Sequence, residues 1–255
     1  MKKILLCFFL SFNQSWGSLG EAWKALKNDG GSTKNYPFIV KEMIKEDLYF
    51  ASIPYIKEYL TKNKSIDSQA VDSLIDKVVT HVGVKQFEGL PSGILARSKA
   101  PTVRYILAKK FFRSGQYDKA LKSLKGSIPS GHSAEPFSLF LKATIKSIRG
   151  DHKVALKTFE KCSSESDDQL SDANSDQRKR QLAINRDSCL AGKARTYFAM
   201  KEFENANMAY LDISKSSHIW PEILFEEAWN SFYRGNYNRT LGKLVTYKAP
   251  VMNFV

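Results

Sequence analysis

The chain has 255 residues and a formal net charge of +13, a length that allows one or two ordinary domains. After the N-terminus no segment offers 18 continuous apolar residues, which excludes a helical membrane span in the mature chain. The basicity favours acidic partners, whether anionic lipid head groups, cell-wall polymers, acidic proteins or nucleic acid, unless it is simply a solvated surface.

The N-terminus reads as an address. Lys2 and Lys3 form a charged start, Ile4 to Phe12 is mostly apolar and too short to cross a bilayer, and Ser15-Trp16-Gly17 ends in small residues at a peptidase spacing. Residues 1–17 are therefore expected to be a secretory signal peptide, cleaved near Gly17. Losing Lys2 and Lys3 would take the formal charge from +13 to +11. Cys7 lies within the apolar run without a lipobox, which argues against a lipid anchor. The alternative is a buried N-terminal helix.

Residues 18–100 read as an N-terminal helical region. Glu21 to Lys27 is a short helical phrase, broken by Asn28-Asp29-Gly30-Gly31-Ser32. From Tyr36 to Lys62, apolar residues recur at helical spacing, with Pro54 expected to divide the stretch into two helices. Ser65 to Ser68 offers a cap, and Val71, Leu74, Ile75, Val78 and Val79 mark another amphipathic helix. Gly83, Gly89, Pro91 and Gly93 mark turns.

From residue 101 one phrase occurs four times: Gly115-Gln116-Tyr117-Asp118-Lys119-Ala120, Gly150 to Ala155, Lys201 to Ala206 and Gly235 to Thr240, at intervals of 35, 51 and 34 residues. Such periods mark repeat architectures. With Pro101, Pro136, Asp187 and Pro221 as position 1, position 8 is Ala108, Ala143, Ala194 and Ala228, and position 20 is Ala120, Ala155, Ala206 and Thr240. Small residues at two fixed places suit the tight crossing of two antiparallel helices. Position 24 is always large: Leu124, Phe159, Tyr210 and Leu244. Proline or a carboxylate at position 1 suits a first helical turn. A turn glycine at position 15 supplies a left-handed backbone, and Lys201 in its place is expected to strain or reshape that turn.

The interval of 51 places about 17 extra residues between the second and third repeats. They run acidic to basic over residues 163–180, with Leu170 their one large apolar residue, and such composition predicts a mobile loop whose basic end extends the next helix. The last residues, Ala249 to Val255, are apolar and suggest either a longer array or an end that docks on a partner, the first being favoured.

These residues resemble the tetratricopeptide repeat, over about residues 101–250. Arg104 at position 4, Lys146 at position 11 and the absence of proline at position 32 depart from its pattern. The resemblance implies an all-α fold, a right-handed superhelical solenoid of antiparallel helix pairs. Residues 101–255 would hold four repeats and residues 18–100 degenerate pairs capping the stack. An unrelated helical bundle is the alternative. The resemblance also implies a concave face lined by the first helix of each pair. Its candidate partner-binding residues are Tyr105, Lys109, Phe112, Arg113, Phe140, Arg195, Phe198, Phe225, Trp229 and Phe232. Aromatic and arginine anchors are typical of interface hot spots. The competing reading is that several of these aromatics, Tyr105, Phe140 and Phe225 at position 5 above all, are core between adjacent repeats.

Without Cys7, Cys162 and Cys189 remain. They fall on helices expected to be neighbours and are a disulfide candidate in an oxidising compartment, against two buried free thiols. Catalytic signatures do not emerge. No two of His81, His132, His152 and His218 share the spacing of a metal site, and neither a phosphate loop nor a nucleophile elbow occurs. No metal, cofactor or catalytic residue is assigned. The sequence favours a periplasmic or secreted scaffold for a protein or peptide partner, in envelope assembly, motility or secretion. Its basic charge allows contact with cell wall or membrane surface. The alternative is an accessory or fragment of a peptidoglycan-acting enzyme. Nucleic acid fits the charge but conflicts with export.

Overall fold

In a computed structural model the described residues are 19–28, 32–63 and 68–248, and among them the chain is all-helical, without strands. The expected signal peptide, the Ser65–Asp67 part of the expected cap and the tail from Ala249 lie outside the described residues. The chain forms two compact units, Met1–Pro129 and Ser130–Val255.

The first unit holds α1 (residues 19–28), α2 (Tyr36–Lys45), α3 (Tyr49–Lys62), α4 (Ser68–Val82), α5 (Lys85–Glu88), α6 (Ser92–Arg97), α7 (Pro101–Arg113) and α8 (Tyr117–Leu124). The apolar stripe expected on α4 is buried at Val71, Ile75 and Val78, in a core shared with Ile56, Leu60, Phe87, Leu95, Val103 and Ile106. Two side chains finish helix ends. Asp72 accepts a hydrogen bond from the Thr102 backbone N–H at 3.1 Å, putting a carboxylate at the N-terminus of α7. The Arg97 guanidinium donates to the carbonyls of Leu60 and Thr61 at 3.2 and 3.1 Å, at the C-terminus of α3.

Pro54 does not divide the helices as expected. It lies inside α3, on the exposed face, where water can serve the carbonyl it leaves unbonded. The break falls earlier, at Asp47, a non-glycine residue with φ of 56°.

The second unit holds α9 (Glu135–Ile148), α10 (His152–Ser171), α11 (Asp176–Ala199), α12 (Phe203–Leu211), α13 (Trp220–Tyr233) and α14 (Tyr237–Tyr247). The repeated phrase marks hairpin turns. α7–α8, α9–α10, α11–α12 and α13–α14 are each joined by three residues. In each turn the backbone N–H at position 15 reaches back three residues and the next N–H reaches back five: Gly115 to Phe112 and Gln116 to Phe111, Gly150 to Ser147 and Asp151 to Lys146, Lys201 to Phe198 and Glu202 to Tyr197, Gly235 to Phe232 and Asn236 to Ser231. This closure satisfies the last carbonyls of the first helix and requires a left-handed residue. The glycines take φ of 70°, 80° and 74°, and Lys201 takes 63°. The Lys201 turn therefore keeps the common shape and bears the strain on a residue with a Cβ.

Ala108, Ala143, Ala194, Ala120, Ala155 and Ala206 are all fully buried, and Ala228 nearly so. Leu124, Phe159 and Tyr210, at position 24, are buried with them. Thr240 and Leu244 at the same places on α14 are only half-buried.

Residues 163–180 are helical rather than the expected loop, although their basic end, Arg178 to Arg180, does extend the next helix as expected. α10 continues to Ser171, and α11 starts at Asp176, where the Ser175 hydroxyl accepts from the Arg178 N–H at 3.2 Å. Net composition concealed a buried stripe of small residues: Cys162 and Ser166 on α10 face Leu182, Asn185 and Cys189 on α11, all buried. Asn185 donates to the Ser166 hydroxyl at 3.0 Å. The Arg178 guanidinium holds the Ser133 carbonyl at 2.6 Å and Gln169 at 2.9 Å. Cys162 and Cys189 are joined as a disulfide, their Cα atoms 6.0 Å apart.

Candidate functional site

α13 supplies the site because it is apolar on more than one face. Ile223, Leu224 and Ala228 are buried against the unit. Phe225, Trp229 and Phe232 nevertheless remain 43%, 49% and 46% exposed. The three rings interlock edge to face, with centroids 6.4 Å apart for Phe225–Trp229 and 6.1 Å for Trp229–Phe232.

Two clefts open beside this ridge. The smaller, about 490 Å³, is lined by Arg195 and Phe198 of α11, Tyr210 of α12 and Phe225, Glu226, Trp229 and Tyr233 of α13. Its polar part is ordered: the Arg195 guanidinium donates twice to one Glu226 oxygen and once to the other, at 2.6 to 3.0 Å. The Tyr210 hydroxyl donates to the same carboxylate at 3.1 Å. Hydrogen bonding to Glu226 holds Arg195 above its ordinary pKa, so it stays a cation. Burial, reinforced by the Glu226 charge, pushes the Tyr210 phenol up, so it stays neutral. The cleft offers a fixed charge pair on an aromatic wall, suited to recognition.

The larger cleft, about 1030 Å³, runs between α13 and α14 and is lined by Phe225, Ala228, Trp229, Phe232, Thr240, Leu241, Leu244, Val245 and Lys248. Leu241 and Val245 are well exposed, as is Tyr247, whose ring centroid lies 5.6 Å from that of Phe225.

The ten expected lining residues fare differently. Tyr105, Lys109, Phe112 and Arg113 belong to the first unit and the other six to the second, and each set is described by itself. Tyr105 is buried at 7% exposure and is core rather than lining. Lys109 is half-buried, and burial lowers its ammonium pKa, with the nearby Arg113 charge adding to the effect. Phe112 packs against Tyr117 with centroids 5.7 Å apart, and Arg113 is ion-paired to Glu88. Phe140 is half-buried and packs against the cluster of Leu139, Ala143, Ala155 and Phe159. Phe198 packs edge-on against the stacked rings of Phe203 and Tyr233, at 5.4 and 5.5 Å. Arg195, Phe198, Phe225 and Trp229 do meet around one cleft.

What the expected lining left out is the apolar face of α14, the second helix of the fourth expected repeat. Its signal was present at position 25, which is Lys125 and Glu160 in the first two repeats but Leu211 and Val245 in the last two. Among the described residues no group of His, Cys, Asp or Glu could hold a metal ion, and no helix is long and apolar enough to cross a membrane. No family model matches the chain, and no curated protein matches it.

Proposed function

We propose that this protein is a non-enzymatic exported scaffold, periplasmic or secreted, whose helix pairs form a tetratricopeptide-like solenoid of right-handed twist. It holds a protein or peptide partner on its second unit. The observation that carries this reading is the exposed ring ridge of α13. Large aromatic side chains are normally drawn into a core, and contiguous exposed aromatics rimmed by polar groups mark interaction sites. The Arg195–Glu226–Tyr210 cluster beside the ridge gives the surface a fixed polar register. The four matching hairpin turns and their buried alanines support the repeat reading. Export rests on the charge and hydropathy of residues 1–17.

Pull-down from an envelope extract is the test. A protein should be retained by the native chain and lost with Trp229→Ala. Retention of nothing, together with clearing of purified cell wall in a turbidity assay, would replace the scaffold with a peptidoglycan-acting role.

A further inference from the structure

The second unit shows twice how one helix pair receives the next helix. The α9–α10 pair receives α11, where Cys189, at position 3, is bonded to Cys162, at position 27 of the pair before. Ser147 and Thr196 hydrogen-bond across the same seam at 2.9 Å. The α11–α12 pair receives α13, where Ile223, again position 3, joins the buried cluster of Ala194, Ala206, Tyr210 and Ile213, the last again position 27. Each incoming helix thus lies against positions 8, 20, 24 and 27 of the preceding pair.

The same positions on α13–α14 are Ala228, Thr240, Leu244 and Tyr247. Three of them line the 1030 Å³ cleft, and Tyr247 packs on Phe225 at its edge. The cleft is therefore the third copy of a seam whose first two copies are each filled by an α-helix. Around it the polar positions of earlier pairs have turned apolar. Arg195 is followed by Trp229 at position 9, and Glu160 by Leu211 and Val245 at position 25. α14 and its cap carry Arg239, Lys243 and Lys248 with no carboxylate; Lys243 is ion-paired to Glu227 of α13 at 2.6 Å, which leaves Lys248 as the one charged residue lining the cleft. Like charges would oppose a second copy of α14 across this groove, whereas an acidic helix would be drawn to it.

We propose that the α13–α14 groove docks one amphipathic α-helix of a partner protein, acidic along its flank, laid in the register that α11 and α13 occupy on the preceding pairs. This rests on the scaffold reading and names the partner chemistry. Apolar side chains spaced three and four apart would enter between Phe225, Trp229 and Phe232 on one wall and Leu241, Leu244 and Val245 on the other. Carboxylates on the flank would face Lys248.

The probe is a fluorescein-labelled, hydrocarbon-stapled peptide with the sequence of α13, residues 220–233. That helix fills the preceding seam and carries Glu222, Glu226 and Glu227 without a cation. Titration with the full chain should give saturable anisotropy, with a Kd on the order of micromolar. Leu241→Glu and Val245→Glu should weaken it about tenfold or more, and Lys248→Glu about threefold. Lys248 is solvent-facing, so that variant decides the matter if either groove variant fails to fold. Deleting residues 249–255 should leave the affinity unchanged.

Absent saturation, equal binding of a scrambled peptide, or wild-type affinity in the glutamate variants would overturn the proposal. A dimer in sedimentation that Val245→Glu dissolves would give the groove to a second copy. A marked rise in affinity on deleting 249–255 would give it to the chain's own end. The two tests fail separately. An empty pull-down with intact peptide binding removes the envelope partner, whereas a retained protein with no peptide binding removes only this groove.

Discussion

Lys201 occupies a backbone conformation that glycine fills in the other three hairpin turns. A left-handed residue with a Cβ costs about 1–2 kcal/mol, and glycine returns part of that through the freedom of the unfolded chain. Lys201→Gly should therefore stabilise by about 1 kcal/mol, raising Tm by roughly 2–4 °C, while Lys201→Ala should leave it where it is. An unchanged Tm in Lys201→Gly would mean that the surrounding turn already relieves the strain. Gly192 has the opposite character. A Cβ there would lie 2.3 Å from the Phe159 ring, which is buried and cannot swing aside. Gly192→Ala should destabilise by about 1–3 kcal/mol, read as a lower urea midpoint. At this scale the sequence was most legible where sterics leave no choice, as at the turn residue and the crossing alanines. It was least legible for Tyr105 and Phe140. An aromatic at one register position can face either core or solvent, and which happens is set by neighbours whose packing no local pattern reveals.

At the scale of elements, α10 and α11 hold the surprise. A segment acidic at one end and basic at the other reads as disordered, because composition sums over all faces of a helix. Its packing depends on one narrow stripe, where Ser166 and Asn185 bond across the interface and Leu182 is fully buried. Long helices held by small polar residues have little hydrophobic signature. The Cys162–Cys189 disulfide ties this extended hairpin at a sequence separation of 27, and closing such a loop stabilises by about 3–4 kcal/mol in the chain-entropy account. Oxidised protein should show no alkylatable thiol at Cys162 or Cys189 by mass, and reduction should lower Tm by several degrees. Two free thiols in unreduced protein would contradict the bond. Pro54 teaches a related lesson: an exposed proline near the start of α3 is tolerated, and the helices part instead at Asp47.

For the molecule as a whole, the buried core and the exposed ring surface draw on different residues of the same helix pairs. Buried alanines let each hairpin close, and the rings of α13 stay outside that core. The helical class and hairpin periodicity were plain in the sequence. The α13–α14 groove was not, because its meaning depends on seeing the same seam filled twice before. Comparing the melting temperatures of Ala120→Trp, Ala155→Trp and Phe232→Ala separates the two roles. An indole at either crossing should lower Tm sharply, since overpacking costs about 1–3 kcal/mol or more, while Phe232→Ala should melt within a degree or two of the native chain. Wild-type melting in both tryptophan variants would contradict the helix register, and collapse of Phe232→Ala would return the ridge to the core.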